Sequence, residues 1–211
     1  MRRFLLFRSA QIFLVLSLSG GAGSLWADDD SSYGEEFTQA FNINPAGIAL
    51  GSYSANYEIL FDQTHGVVLE GTFTRMKNGS DSGDSTTKGG GFGLQYRWHW
   101  SDAMESGFLG VFARYTTATG TGSATTNVNG FTSASNFDIK YTAATLGLNI
   151  GKRWVWESGF NIVFRIGYGY TKLDITTWNA SSDISGTIDA LKPVLQLIAG
   201  IDGELSIGYA F

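Results

Sequence analysis

The sequence predicts an all-β protein: a closed antiparallel eight-stranded transmembrane β-barrel of the outer-membrane type, with long extracellular loops. Segments of about ten residues alternate between apolar and polar side chains, as strands with one lipid-facing and one interior face do. Aromatic residues make up 14% of the chain and gather towards the ends of the apolar faces. Short polar links alternate with long Gly-, Ser- and Thr-rich tracts. A β-sandwich would instead favour aliphatic inner faces packed against a second sheet.

The first half of the chain holds four such segments. The first, 36–43, precedes a short outer turn at 44–47, and the second, 47–61, sets an apolar face against a polar face that includes Glu58. The third covers 66–73. The fourth, 91–100, has the clearest alternation. Its aromatic and aliphatic side chains face one way, and Gly93, Gln95, Arg97 and His99 face the other.

The second half holds four more segments, at 107–117, 139–156, 158–172 and about 200–211. The alternation is clear in 158–172 and 200–211 and less regular in 107–117 and 139–156. Lys152 falls on an apolar face, so we expect either a β-bulge near Gly151 or a side chain that reaches the membrane interface.

The lengths of the links predict how the strands are oriented. Outer-membrane barrels have short periplasmic turns and long extracellular loops. The short links are 62–66, 101–106 and 157–158, and the long ones are 78–90, 117–135 and about 175–190. An alternative count replaces the strand at 36–43 with one at 187–200. We prefer a loop or short helix there, because Pro193 would interrupt a closed sheet.

The N-terminus has the features of a secretory signal peptide, with Arg2, Arg3 and Arg8 before a short apolar run. We therefore expect a cleaved signal at 1–27, a short segment at 28–35 and the barrel at 36–211. Cleavage would leave 11 basic and 19 acidic residues and a net charge of −8, compared with −5 for the whole chain. This argues against nucleic acid as a partner. Without cysteine, the chain can form no disulfide.

The predicted interior carries an unusual number of charges for a barrel that is only about wide enough for its own side chains. Buried charges need partners, since an unpaired one costs several kcal/mol. We therefore expect a lumen plugged by a charge network and a structural or surface-interaction role. A narrow channel or transport protein for ions or small solutes is the alternative. The network consists of Glu58, Glu70, Arg97, His99, Arg114, Arg153, Arg165 and Glu204.

The outward faces predict contact with outer-membrane lipids in the bacterial outer membrane. Aromatic side chains in such barrels form girdles at both membrane interfaces. The predicted girdle consists of Tyr57, Phe61, Trp98, Trp100, Trp154, Trp156, Tyr168 and Tyr170. Loops 78–90 and 117–135, too poor in apolar residues to bury a core, are expected to be mobile and to bind any extracellular ligand. We expect a monomer.

Nothing in the sequence predicts catalysis, a metal site or a cofactor. His65 and His99, the only histidines, are predicted near the periplasmic end. A catalytic group of a lipid-modifying barrel would lie near the outer leaflet. The acidic stretch 81–85 could offer oxygen ligands to Ca²⁺, but a solvated loop is the simpler interpretation.

Four stretches, 44–58, 91–100, 151–170 and the terminal 205–211, resemble an uncharacterised family of small outer-membrane β-barrels. The family is similar in architecture to the eight-stranded OmpA and OmpX type. The resemblance implies a fold and a location but no activity. It also implies that the barrel-assembly machinery recognises a C-terminal strand ending in Phe. The residues that fit this signal are Leu205, Ile207, Tyr209 and Phe211.

Overall fold

The chain forms a closed antiparallel barrel in which the eight strands follow one another in chain order. This computed structural model describes residues 37–49, 51–80, 83–101, 104–128, 131–178 and 192–211, so the predicted signal peptide lies outside the described residues. The strands are β1 Gln39–Ile43, β2 Ser52–Leu60, β3 His65–Ser80, β4 Gly83–His99, β5 Gly107–Val128, β6 Phe131–Val155, β7 Phe160–Trp178 and β8 Ile201–Ala210.

The first and last strands close the barrel. They pair from Ala40↔Ala210 to Ile43↔Ile207, and the backbone N–H of Gln39 donates to the carbonyl of Phe211 at 2.9 Å. The predicted strand at 36–43 is therefore confirmed. The alternative strand at 187–200 is wrong over its described part, because residues 192–199 form a helix, α2.

Local sequence explains the connections at both ends of β2. After β1, the Asn44 side chain accepts a hydrogen bond from the N–H of Gly47 at 3.1 Å, and helix α1 (Pro45–Ala49) follows. An Asn cap followed by Pro is a favourable helix start. The second strand consequently begins at Ser52 rather than at the predicted residue 47. After it, Asp62 accepts hydrogen bonds from the N–H groups of Thr64 and His65 and forms the tight turn.

The predicted faces are confirmed, most plainly in β4. Phe92, Leu94, Tyr96 and Trp98 are exposed, and the intervening residues are buried in the interior. No bulge occurs at Gly151, since the ladder runs unbroken through Lys152 on both sides. The Lys152 ammonium instead lies 5.8 Å from the Trp154 ring centre, within reach of a cation–π contact. Among the described residues, no helix is long and apolar enough to cross a membrane.

The predicted girdle residues fall at both ends of the outer surface. We call the end with the short links between β2–β3, β4–β5 and β6–β7 the turn end. Phe61, Trp98, Trp100 and Trp156 are exposed near the turn end, while Tyr57 and Trp154 are half-buried there. Tyr168 and Tyr170 are exposed towards the opposite end.

The predicted loops 78–90 and 117–135 are wrong over their described residues, which form strands. Beyond Thr74, which pairs with Ser52, β3 and β4 continue as far as Ser80↔Gly83. The fifth and sixth strands continue as far as Val128↔Phe131. We call the β3–β4 extension the first ribbon and the β5–β6 extension the second ribbon. The end of the barrel from which they project is the ribbon end. Thr-rich polar sequence suits a strand that pairs on both sides, because Thr is β-branched.

An apolar floor closes the turn end. Ala40, Leu60, Met104, Val155 and Ala210 form one buried cluster, and Phe37 packs against it. These residues lie at the turn-end termini of four strands and in the β4–β5 link. The charged interior therefore begins above an apolar layer.

Candidate functional site: the charged interior

All eight predicted network residues lie inside the barrel. Each of the strands from β2 to β8 contributes at least one, because every such residue faces inward in its strand's alternation. Arg97, Arg153, His99 and Glu58 are 0% exposed. Glu70 and Arg114 are only partly buried and lie nearer the ribbon end.

Glu58 is the centre of the layer just above the floor. Its Oε2 accepts hydrogen bonds from Arg97 Nη1 at 2.6 Å and from Arg153 Nη2 at 2.5 Å. His99 Nε2 lies 3.0 Å from its Oε1. Arg97 also lies over the Phe108 ring, 4.2 Å from its centre. One carboxylate thus joins three strands across the lumen through charge-assisted hydrogen bonds.

Glu204 is the centre of the next layer. Arg165 Nη1 approaches its Oε2 at 2.8 Å and Arg97 Nη2 at 3.3 Å. Its Oε1 accepts hydrogen bonds from Asn56 Nδ2 at 2.6 Å and from Ser206 Oγ at 2.5 Å. Arg97 therefore links the Glu58 layer to the Glu204 layer.

Arg165 connects the network towards the ribbon end. Its guanidinium contacts Asp202 at 2.8 Å and Glu70 at 3.2 Å. Arg114 contacts the same Asp202 at 3.3 Å. Asp202 was absent from the predicted network. It could have been found, because it lies two residues before Glu204 and so shares its face of β8.

The charges of the network balance. Four carboxylates, Glu58, Glu70, Asp202 and Glu204, face four guanidinium groups, and each takes part in at least one ion pair. Neutral side chains fill positions around them. The neutral pairs are Asn42–Asn56, Gln95–Asn149 and Thr145–Thr171. A balanced, hydrogen-bonded set is the condition under which buried charges are tolerated.

A cavity of about 310 Å³ lies above the network towards the ribbon end. Glu70 and Arg114 lie at its charged side, and Thr72, Thr116 and Thr145 contribute hydroxyl groups. Ile198 and Ala199 of α2 also line it.

His99 takes part in a chain of hydrogen bonds that resembles the order of a hydrolytic triad. Ser106 Oγ lies 2.7 Å from His99 Nδ1, and His99 Nε2 contacts Glu58. Ser106, however, is 3% exposed, and Glu58 is held by two arginines. The arrangement therefore has no access for a substrate. Sequence reasoning missed Ser106, since a Ser in a link carries no periodic signal.

No group of three or more His, Asp or Glu that could hold a metal ion occurs among the described residues. Residues 81 and 82 of the acidic stretch 81–85 lie outside the described residues.

Comparison with known proteins identifies one family and several similar solved structures. A family model described as "Protein of unknown function (DUF3575)" matches residues 29–190. No curated protein sequence matches. Crystal structures of CarO2 and CarO from Acinetobacter baumannii are similar, each with 10% sequence identity and a TM-score of 0.48. The matches cover 83% of this chain and 98% and 97% of those chains.

Proposed function

The chain belongs to the DUF3575 family of proteins of unknown function, and we propose that this member is a small monomeric outer-membrane barrel. Its role in this proposal is structural or surface-interaction, and its own charged side chains close the lumen. The observation that carries the proposal is the ion-paired interior above an apolar floor.

The outward surface supports the location in a membrane. Large apolar side chains cover the barrel wall and stay exposed, including Leu146, Leu148 and Tyr170. The side chain of Leu148, for example, is 66% exposed. A soluble protein rarely leaves so extended an apolar surface in water, and a closed barrel is one of the few structures that lipid tolerates.

The interior supports closure of the lumen. Glu58 and its two arginines span the barrel in a layer whose three charged side chains are 0% exposed. Below them, Met104 and Leu60 belong to the buried floor. An ion that crossed this layer would have to separate buried pairs, each costly to break.

The ribbons support a surface-interaction role. They continue as hydrogen-bonded strands past the barrel wall, as far as Ser80 and Gly83 in one and Val128 and Phe131 in the other. Hence a ligand that binds within 78–90 or 117–135 would meet a preformed sheet and would lose little conformational entropy of the protein.

The last strand supports recognition by the barrel-assembly machinery. Leu205, Tyr209 and Phe211 are exposed on the outer side of β8, and Ile207 is partly buried beside them. An assembly factor could therefore read this edge before the barrel closes.

The first test is single-channel conductance of the refolded protein in a planar bilayer. We expect no openings from protein whose far-UV circular dichroism shows a folded barrel. Met104→Gly serves as a matched variant that weakens the floor and removes the contact of Met104 Sδ with Arg153, while the ion pairs of Glu58 with Arg97 and Arg153 keep both partners. Reproducible openings of the wild type that change with Arg165→Ala would contradict the proposal.

That outcome would establish the alternative, a narrow channel for ions or small solutes. One observation favours it. Arg165 lies within ion-pair distance of Glu70, Asp202 and Glu204, directly below the cavity at the ribbon end. A guanidinium with three carboxylate partners can exchange one for another, and such exchange is what a gated path through this network would need.

A further inference from the structure

We propose that α2 is an interfacial helix whose apolar face lies in the acyl chains of the outer leaflet, at the ribbon end of the barrel. This inference rests on the proposed membrane location of the barrel and extends it to an element that belongs to no strand. The lipid partner is identified by chemistry, as a hydrocarbon surface with no need for a specific headgroup.

A helix of a water-soluble protein normally buries its apolar face and exposes its polar face, whereas α2 has the reverse arrangement. Lys192, Gln196 and Ala199 recur at helical spacing on one side, and this polar and small side is the half-buried one. The opposite side is apolar and exposed. It consists of Val194, Leu195 and Leu197, with exposures of 52%, 40% and 58%, and of Ile198, which is 45% exposed and also borders the cavity.

Hydrogen bonds anchor the C-terminus of α2 to the barrel. Arg114 Nη2 donates to the carbonyls of Ala199 at 3.2 Å and Ile201 at 3.1 Å. A cation at a helix C-terminus is also favoured by the helix dipole. The N–H of Gly200 closes the last turn on the carbonyl of Gln196 at 3.1 Å. The interior network therefore anchors the C-terminal end of α2 to the barrel.

The exposed face of α2 continues the exposed apolar surface of the barrel wall, which we call the belt. Ile201, two residues after the end of the helix, is an exposed residue at the ribbon end of β8. Gly200 packs on the ring of Tyr168, and a Cβ there would lie 3.0 Å from Tyr168 Cε2. Tyr170, on the same face of β7, is 79% exposed. Because no charged side chain interrupts the exposed face of α2, hydrocarbon is the environment that this face fits.

Site-directed spin labelling can test the inference, since the chain has no native cysteine. Single cysteines would replace Leu197 on the apolar side of α2, Leu148 in the belt and Thr119 on the outer side of the second ribbon. Gln196→Cys provides a matched control on the opposite side of the same helix. The labelled proteins, refolded into phosphatidylcholine vesicles, are then exposed to oxygen, which concentrates in lipid, and to a water-soluble nickel chelate.

We expect the ratio of oxygen to nickel collisions to be several-fold higher at Leu197 than at Thr119, close to that at Leu148, and lower at Gln196. A ratio at Leu197 equal to that at Thr119, with Leu148 still oxygen-favoured, would overturn the inference and leave the membrane location intact. Nickel access at Leu148 would overturn both. In a second experiment the label is at residue 195. Adding Leu197→Gln should then lower the ratio of oxygen to nickel collisions at residue 195, because a less apolar face binds lipid more weakly.

Discussion

Glu58 shows how far single residues determine the interior. It is fully buried, and its carboxylate meets Arg97 of β4 and Arg153 of β6, so the charges of three strands depend on one another. Truncating one partner leaves an uncompensated buried charge, which typically costs about 3–5 kcal/mol. The ion pairs are therefore better understood as a requirement for burying these groups than as added stability.

We predict that Arg97→Ala and Arg165→Ala each lower the urea midpoint of unfolding of the refolded barrel. Each removes an ion-pair partner of Glu204 and of at least one further carboxylate, and so leaves the buried network with one uncompensated negative charge. Tryptophan fluorescence in lipid vesicles measures the midpoint. Arg75→Ala is the matched control, since Arg75 is exposed on the first ribbon. Unchanged midpoints for both interior variants would show that the network does not contribute to the stability of the folded barrel.

At this scale the sequence predicts which residues face inward but not which ones pair. Alternation places Glu58 and Arg97 in the lumen independently of each other. Their contact depends on the register of β2, β3 and β4 together, which a single-strand pattern does not contain. Ser106 and Met104 lie in a link, where no periodicity applies, and so neither could be foreseen.

At the scale of elements, the strands extend further than their apolar patterns. The outward apolar pattern stops short of the strand ends, since the β3–β4 and β5–β6 ladders continue for several residue pairs beyond it. Composition therefore predicts loops there, since Gly, Ser and Thr are frequent in loops. Neighbouring strands supply the backbone hydrogen bonds that the sequence pattern alone does not reveal.

Two glycines of β8 give a matched test of close packing between elements. A Cβ at Gly208 would lie 2.0 Å from the carbonyl oxygen of Phe41, whereas one at Gly203 meets nothing within 4 Å. We predict that Gly208→Ala lowers the thermal or urea stability by about 1–3 kcal/mol, the usual cost of overpacking. Gly203→Ala should leave it unchanged. Equal stabilities of the two variants would mean that β1 moves freely away from β8.

At the largest scale, the ribbons lie at one end of the barrel and the short turns at the other, and the direction of insertion is a prediction. We expect an impermeant maleimide to label Thr121→Cys on intact cells, because Thr121 is exposed on the second ribbon. Gln63→Cys, in the β2–β3 turn, should react only after the outer membrane is permeabilised. Labelling in the reverse order would place the ribbons in the periplasm.

The pairing of β1 with β8, which we call the seam, also determines when the barrel can close during folding. Its ladder joins Ala40 to Ala210, positions at opposite ends of the barrel sequence, and contacts so distant in sequence form slowly. Before that pairing forms, we expect the seven other ladders to make a curved open sheet whose charged face is still hydrated. The hydrogen bond from Asn56 to Glu204 bridges this seam and can form only in a closed ring. We therefore expect dehydration of the interior and closure of the wall to coincide in one late step of folding.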